Sequence, residues 1–537
     1  MTSHRSLFAL CLLSSLAFIS MSTLSTDPWR SKNSGGTQLP QKVDYEKAGI
    51  DAMRQFKIEH MRYALSCLAS DSLEGRETSE PGQKKAAELI AKRFRELGLK
   101  PVGDSGTYFQ HFFVDVHYIS DSSFVEVGGK YFRNDRDIVV LPFGAGDTTV
   151  TAPAVFAGYG FESSTYSDYA GIDAKGKIVI LLAGNPSFAD TGDIMIKTEL
   201  YKRSNALRHG AASVLIVVRG GDTAFTKIHQ RFGSLFGNKT MTNDTGKKTK
   251  GSSTMMQMIY IREDVADELL KPHGTNANHL ANTIDSTNQA ASVAVGTITV
   301  SVRLVSEIRR TENVAGMLEG TSMKDEYVVY SAHYDHLGKT PDGVVYHGAD
   351  DNASGTSTVL GVAELYSLSK VKPKRSIIFL MFTGEEKGLL GSDYFTSHPV
   401  VPITNIVTDL NTDMDGRVDT SYVNRDSNYI FVIGSRRLST ELDSLLVSAD
   451  SQSVKMKLDY AFDSDSDPNR FYYRSDHYNF AKRNIPVVFF FDGNHPDYHK
   501  PTDTIDKIDF PLLENRTKLV FMTGWKAANL DRRLRLN

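Results

Sequence analysis

Tyr327-Val328-Val329-Tyr330-Ser331-Ala332-His333-Tyr334-Asp335 is a short apolar run that ends on an imidazole and a carboxylate. Tyr327 to Tyr330 reads as a strand. After a loop, Gly355 to Leu365 carries a helical pattern, and Ser376 to Phe382 is a second apolar strand bounded by charged residues. The same texture returns at Ile406-Val407-Thr408-Asp409-Leu410 and at Pro486-Val487-Val488-Phe489-Phe490-Phe491. Repeated strand-helix-strand units imply crossover connections, so the expected class is α/β, a mostly parallel mixed sheet with helices on both faces.

Outward from this core the texture changes twice. Between about Val150 and Val302 short apolar runs are punctuated by glycine, as in Val155-Phe156-Ala157-Gly158-Tyr159-Gly160 and Lys177 to Leu182. A helical stretch from Tyr201 to His209 leads through Gly210-Ala211-Ala212 into the apolar run Val214 to Val218, the pattern of a small β-rich module. Its polar segment Gly237 to Ser253 predicts an exposed loop. Nearer the start, Ala86, Ala87, Leu89, Ile90, Phe94 and Leu97 recur at helical spacing, and Gly98 follows as a stop. A turn-rich lead-in, Leu73-Glu74-Gly75-Arg76 and Pro81-Gly82, precedes that helix.

Composition bounds the whole. At 537 residues the chain is too long for one ordinary core. With 40% hydrophobic and 23% charged residues it has the balance of a soluble globular protein. A net charge of -3 without basic runs gives no footprint for nucleic acid. Charges in Met1 to Arg5 followed by the apolar run Leu7 to Ile19 resemble a signal peptide, too short for a full span of roughly 20 residues. The expectation is an exported chain, periplasmic or extracellular, with no membrane span after cleavage; an uncleaved N-terminal anchor is the alternative. Cys11 lies in that run, so Cys67 alone would survive processing, and neither a disulfide nor a cysteine metal site is available.

Chemistry collects where the apolar strands end: His333 and Asp335, Asp350 and Asp351, Glu385 and Glu386, Asp413, and His499. Ligands in open α/β sheets bind beyond the carboxyl ends of the strands. Imidazole nitrogen and carboxylate oxygen are the donors zinc accepts without cysteine. Each residue taken singly has a plainer reading: His333 as a buried strand-end histidine, Asp351 as a helix N-cap, the Glu pair as acidic residues at a helix start, and His499 as an exposed loop histidine. The His333-x-Asp335 pairing favours ligation, because a ligating histidine usually donates its other ring N–H to an orienting carboxylate.

Together, His333-Tyr334-Asp335-His336-Leu337-Gly338, Gly348-Ala349-Asp350-Asp351-Asn352-Ala353-Ser354-Gly355 and Gly384-Glu385-Glu386-Lys387-Gly388-Leu389-Leu390-Gly391-Ser392 resemble the bacterial leucyl aminopeptidase-type family of co-catalytic zinc exopeptidases. Asn411-Thr412-Asp413-Met414, Ser475-Asp476-His477 and Tyr498-His499 extend the likeness. Gly158-Tyr159-Gly160 and His209-Gly210-Ala211 are similar to the protease-associated domain often inserted in such enzymes. With the signal peptide set at 1–25 by its charges and apolar run, the resemblance implies an N-terminal peptidase segment at 26–145, a protease-associated insertion at 146–302 and the catalytic domain at 303–537. It further implies two zinc ions, replaceable by cobalt or manganese. Asp351 would bridge them, with His333 and Asp413 completing one site and Glu386 and His499 the other. Glu385 would be the general base, Asp335 would orient His333, and Tyr498 would help stabilise the oxyanion. Asp350 competes with Asp351 for the bridging position, and the Asp351-Asn352 peptide is a candidate for the cis form. A peptide is the implied substrate, cut from its amino end. Alternatives on the same core are a carboxypeptidase or dipeptidase, marked by a basic group such as Arg417 or Arg474 near the metals, a glutaminyl cyclase, and a receptor-like relative.

Overall fold

The computed structural model describes residues 43–141, 147–189, 195–236, 239–244, 258–340, 343–422 and 425–537. The predicted signal peptide lies outside the described residues. Two sheets organise the rest. The larger has ten strands, whose main path runs Lys457–Asp459, Tyr429–Ile433, Val487–Phe491, Ile406–Thr412, Met323–His333, Arg375–Phe382, Leu304–Leu318, Phe109–Ile119 and Lys239–Asn243. Its four central strands, from Val487–Phe491 to Arg375–Phe382, are mutually parallel, and antiparallel strands flank them on both sides. The sheet is therefore mixed around a parallel centre.

Burial on both faces explains the composition of the central strands. All eight residues of Arg375–Phe382 are buried, as expected of a parallel strand covered on both sides. Alternate residues divide between two cores. Ile377, Phe379 and Met381 join Val328, Tyr330 and Ala332 under helices Pro81–Glu96, Gly355–Leu368 and Phe510–Asn529. Ile378, Leu380 and Phe382 pack on the opposite face with Phe395 and Phe480 from helices Leu390–Ser397 and His477–Ala481.

Local sequence sets the covering helices. Pro81 occupies the first turn of Pro81–Glu96, where a missing N–H costs nothing. Ala86, Ala87, Ile90, Ala91 and Phe94 line its buried face, and Gly98, at φ 71°, turns the chain away beyond it. Helix Phe510–Asn529 is capped by the Asp509 carboxylate, which accepts from Leu512 N–H at 3.1 Å.

The second sheet has eight strands, in the order Lys130–Arg133, Phe124–Val127, Ser292–Val302, Thr148–Ala157, Ile178–Leu182, Ser213–Val218, Met258–Arg262 and Ile138–Val140. Its first strand in the chain, Phe124–Val127, starts well ahead of the boundary expected at residue 146. Strands 124–127 and 130–133 form a hairpin that pairs with Ser292–Val302, a long-range register that local patterning does not reveal. A second difference concerns the predicted loop Gly237 to Ser253. Lys239–Asn243 leaves the second sheet's sequence territory and pairs antiparallel with Phe109–Ile119 of the first sheet, with Met241 buried against Phe112, Val114 and Val116. Its polar residues satisfy a solvent-facing edge, which reads as a loop in one dimension. Residues 245–257 lie outside the described residues.

Candidate metal centre

Strand ends supply the site. Met323–His333 terminates on His333, Arg375–Phe382 leads through Thr383 and Gly384 to Glu385 and Glu386, and Ile406–Thr412 is followed directly by Asp413. Asp351 sits in the turn that opens helix Gly355–Leu368, and Tyr498 and His499 lie in the loop after Val487–Phe491. Parallel strands share a direction, so all these ends gather at one edge of the sheet. Two glycines make the turns possible. Gly384 at φ 77° turns the strand into the Glu pair, and a Cβ on Gly348 at φ 53° would strike the Asp351 carbonyl and the His336 ring.

Asp351 stands at the centre. Its Oδ1 is 3.4 Å from His333 Nε2, while its Oδ2 is 3.0 Å from His499 Nε2 and 3.8 Å from His336 Nδ1. On the first side, His333 Nε2 lies 3.3 Å from Asp413 Oδ1 and 3.9 Å from Glu385 Oε2. On the second, Glu386 Oε2 is 3.1 Å from His499 Nε2, and Glu386 Oε1 is 2.7 Å from His336 Nδ1. Two donor sets emerge, His333–Asp351–Asp413 and His336–Asp351–Glu386, each with its ligand atoms within 4.8 Å of one another. They share Asp351. Asp350, the rival for that position, turns away: its Oδ1 accepts from Gly416 N–H at 2.8 Å and its Oδ2 is 3.1 Å from His495 Nε2. The Asp351-Asn352 peptide is cis.

Electrostatics follow from crowding carboxylates around imidazoles. Burial opposes charge on His333, yet Asp413 and Glu385 outweigh it and hold its pKa well above the ordinary value. Burial is likewise overcome at His499, by Glu386 and Asp351. Burial and Asp351 push the Glu386 carboxyl up, but His499 and His336 bring it down to about 2. Glu385 behaves oppositely: burial, reinforced by Asp413, Glu386 and Asp476 against the pull of His333, raises its proton affinity well above that of a free glutamate. Four carboxylates face three imidazoles, an acid excess that calls for cations. The donor types and the shared carboxylate suit a pair of zinc ions.

The other expected residues occupy supporting places. Asp335 is fully buried beneath His333, but its backbone carbonyl, at 3.2 Å, is nearer to His333 Nδ1 than its carboxylate, at 3.7 Å. That carboxylate accepts from the Thr78 hydroxyl at 2.8 Å and from Glu385 N–H at 3.3 Å, so it ties the base to the histidine strand. Tyr498 stacks on His499 with ring centroids 3.9 Å apart. It lines a pocket with Asp351, Glu385, Asp413, Arg474, Asn494 and an apolar wall of Met414, Phe471, Phe489 and Phe491.

Three contributors escape sequence reasoning. His336 stands three residues from His333, and that spacing was its only signal. Asp503 accepts from the backbone N–H of Asp350 at 3.0 Å and of Asp351 at 3.1 Å, which fixes the bridging turn from below. Arg76, fully buried, donates to the carbonyls of Tyr334, Leu68, His347 and Gly348. Burial lowers its pKa to about 10, against the raising effect of Asp335 and Asp351.

Residues 313–523 match Peptidase family M28. Aminopeptidase YwaD of Bacillus subtilis (strain 168) is 24% identical over 500 residues, covering 89% of this chain and 86% of that protein. A probable leucine aminopeptidase of Trichophyton verrucosum is 30% identical over 251 residues, 45% of this chain and 64% of that one, so the chain spans a little under two thirds of this relative. Among solved structures, BSAP, a zinc aminopeptidase from Bacillus subtilis, superposes with a TM-score of 0.56 at 21% identity, covering 89% of this chain and 96% of that one. An aminopeptidase from Aneurinibacillus sp. strain AM-1 does so with 0.53 at 20% identity, covering 91% and 98%. These two likenesses speak to the fold.

Proposed function

We propose that the chain is a zinc-dependent exopeptidase of peptidase family M28, the family that residues 313–523 match, and that it releases residues from the free amino ends of peptides at a two-zinc centre. The observation that carries the reading is the division of Asp351, with one oxygen toward His333 and the other toward His499 and His336. In this proposal His333 and Asp413 would hold one ion, Glu386 and His499 the other, and Asp351 both. His336, hydrogen-bonded to Glu386, orients that carboxylate or serves in His499's stead.

Zinc, when bound, would polarise the scissile carbonyl and lower the pKa of its water toward about 7. The chain supplies the rest. Glu385, 3.9 Å from His333 and lining the pocket with Asp351 and Asp413, takes the proton of the attacking water and passes it to the leaving amine. Its raised proton affinity suits that return. Tyr498 directs its hydroxyl toward the developing oxyanion. Asp335 keeps Glu385 and His333 in register through the Glu385 N–H and its own carbonyl. Met414, Phe471, Phe489 and Phe491 favour an apolar side chain beside the scissile bond.

The eight-stranded sheet is proposed as a protease-associated insertion. The apolar run Leu7 to Ile19 supports export, and no helix among the described residues is long and apolar enough to cross a membrane. A panel of peptides with free, N-acetylated and C-amidated ends, assayed with zinc, tests the reading. Cleavage of free and C-amidated peptides with none of the N-acetylated ones is expected; cleavage of N-acetylated peptides from the carboxyl end would replace it with a carboxypeptidase.

A further inference from the structure

Arginine near the centre separates substrate classes, and the fold treats its two candidates differently. Arg417 is committed: its Nη2 lies 3.0 Å from Asp497 Oδ2 and its Nη1 3.7 Å from Asp503 Oδ1, with 14% of the side chain exposed. Arg474 is exposed and lines the same pocket as Asp351, Glu385 and Asp413. Its Nη2 approaches the Tyr498 hydroxyl at 3.5 Å, and its guanidinium lies 5.0 Å from the centroid of the Phe471 ring. No carboxylate among the described residues stands within ion-pair distance of it. A planar donor fork on the wall of a pocket, held by an aromatic face and a phenol, is the arrangement that receives a carboxylate from outside.

The pocket is thus polarised. Carboxylates at one side suit an amine or a cation, and the guanidinium at the other suits an anion. We infer that Arg474 binds a carboxylate of the substrate lying within one residue of the scissile bond. Two sources carry that group: the free carboxyl terminus of a dipeptide, or the side chain of an N-terminal aspartate or glutamate. The inference rests on the exopeptidase reading of the pocket and adds to it a specificity-determining residue.

Matched pairs on the zinc-loaded full chain test it: Leu-Leu against Leu-Leu amide, and glutamyl against glutaminyl p-nitroanilide, each with wild type, Arg474→Gln and Arg474→Lys. In one pair the wild-type kcat/KM for the acid exceeds that for its neutral partner by about tenfold or more, the worth of a charge-assisted hydrogen bond. Arg474→Gln brings that ratio close to one, chiefly through KM, and Arg474→Lys restores part of it. The pair that responds identifies the source. Ratios near one in both wild-type pairs, or an equal loss on acid and neutral substrates in Arg474→Gln, overturn the inference while leaving the exopeptidase standing. Wild type inert on every peptide overturns both.

Discussion

At the scale of single residues, the duties proposed for Glu385 and for the ligands are separable. Glu385→Ala is expected to keep its zinc and lose roughly 10²–10⁴-fold in kcat, whereas His333→Ala and Asp413→Ala lose metal. Metal analysis beside a peptide assay checks both, and a Glu385→Ala enzyme of near wild-type rate removes it as the base. His336 and His499 both approach Glu386 and Asp351, so metal content assigns them. His499→Ala is expected to drop one equivalent, and His336→Ala to keep both while binding the second more weakly. A full equivalent lost only from His336→Ala reverses their roles. The tight local motifs around His333, Glu385, Glu386 and Asp413 were legible in sequence because each lies within a few residues of a strand end. Asp503, Arg76 and the commitment of Arg417 were not, since each acts through partners far away in the chain.

At the scale of elements, the turns that carry the ligands depend on buried braces. Arg76 ties the residue after His333 to the loop before Asp351 by donating to the Tyr334 and Gly348 carbonyls. Arg76→Met leaves buried carbonyls unpartnered at about 1–3 kcal/mol each, so urea unfolding should show a loss of several kcal/mol and weaker zinc retention. A variant as stable as wild type contradicts the brace. His477, fully buried and stacked on Phe489 at 4.8 Å, gives helix His477–Ala481 a pH dependence. Burial depresses its pKa to about 3 from an ordinary 6.5. Between those values the unfolded chain binds a proton that the folded chain refuses, so stability falls as pH drops below about 6.5. The slope is about 1.4 kcal/mol per pH unit for one proton. His477→Phe should flatten the pH dependence of stability between pH 5 and 6.5 by about that slope; parallel profiles for the two proteins refute it. The helices Pro81–Glu96 and Gly355–Leu368 were readable from apolar spacing but their limits were not: Pro81 and Gly82, read as a lead-in turn, form the first helical turn, and the second helix runs past Leu365 to Leu368. Lys239–Asn243 was not, because an edge strand with polar residues acquires its identity only from the partner strand Phe109–Ile119.

At the scale of the molecule, a parallel centre flanked by antiparallel strands gathers ligands from well-separated segments at one edge of a sheet buried on both faces. Repeated strand-helix units announced that centre. The mixed flanks and the early start of the second sheet at Phe124 came from long-range pairing. Everything claimed for the site turns on a shared Asp351 holding two ions, and metal stoichiometry tests it most directly. The purified chain, stripped with chelator, dialysed against zinc and freed of excess, should retain about two equivalents, with peptide hydrolysis returning as they bind, while Asp351→Ala retains neither tightly. One equivalent or fewer in the fully active wild type, or two in active Asp351→Ala, contradicts the bridged centre.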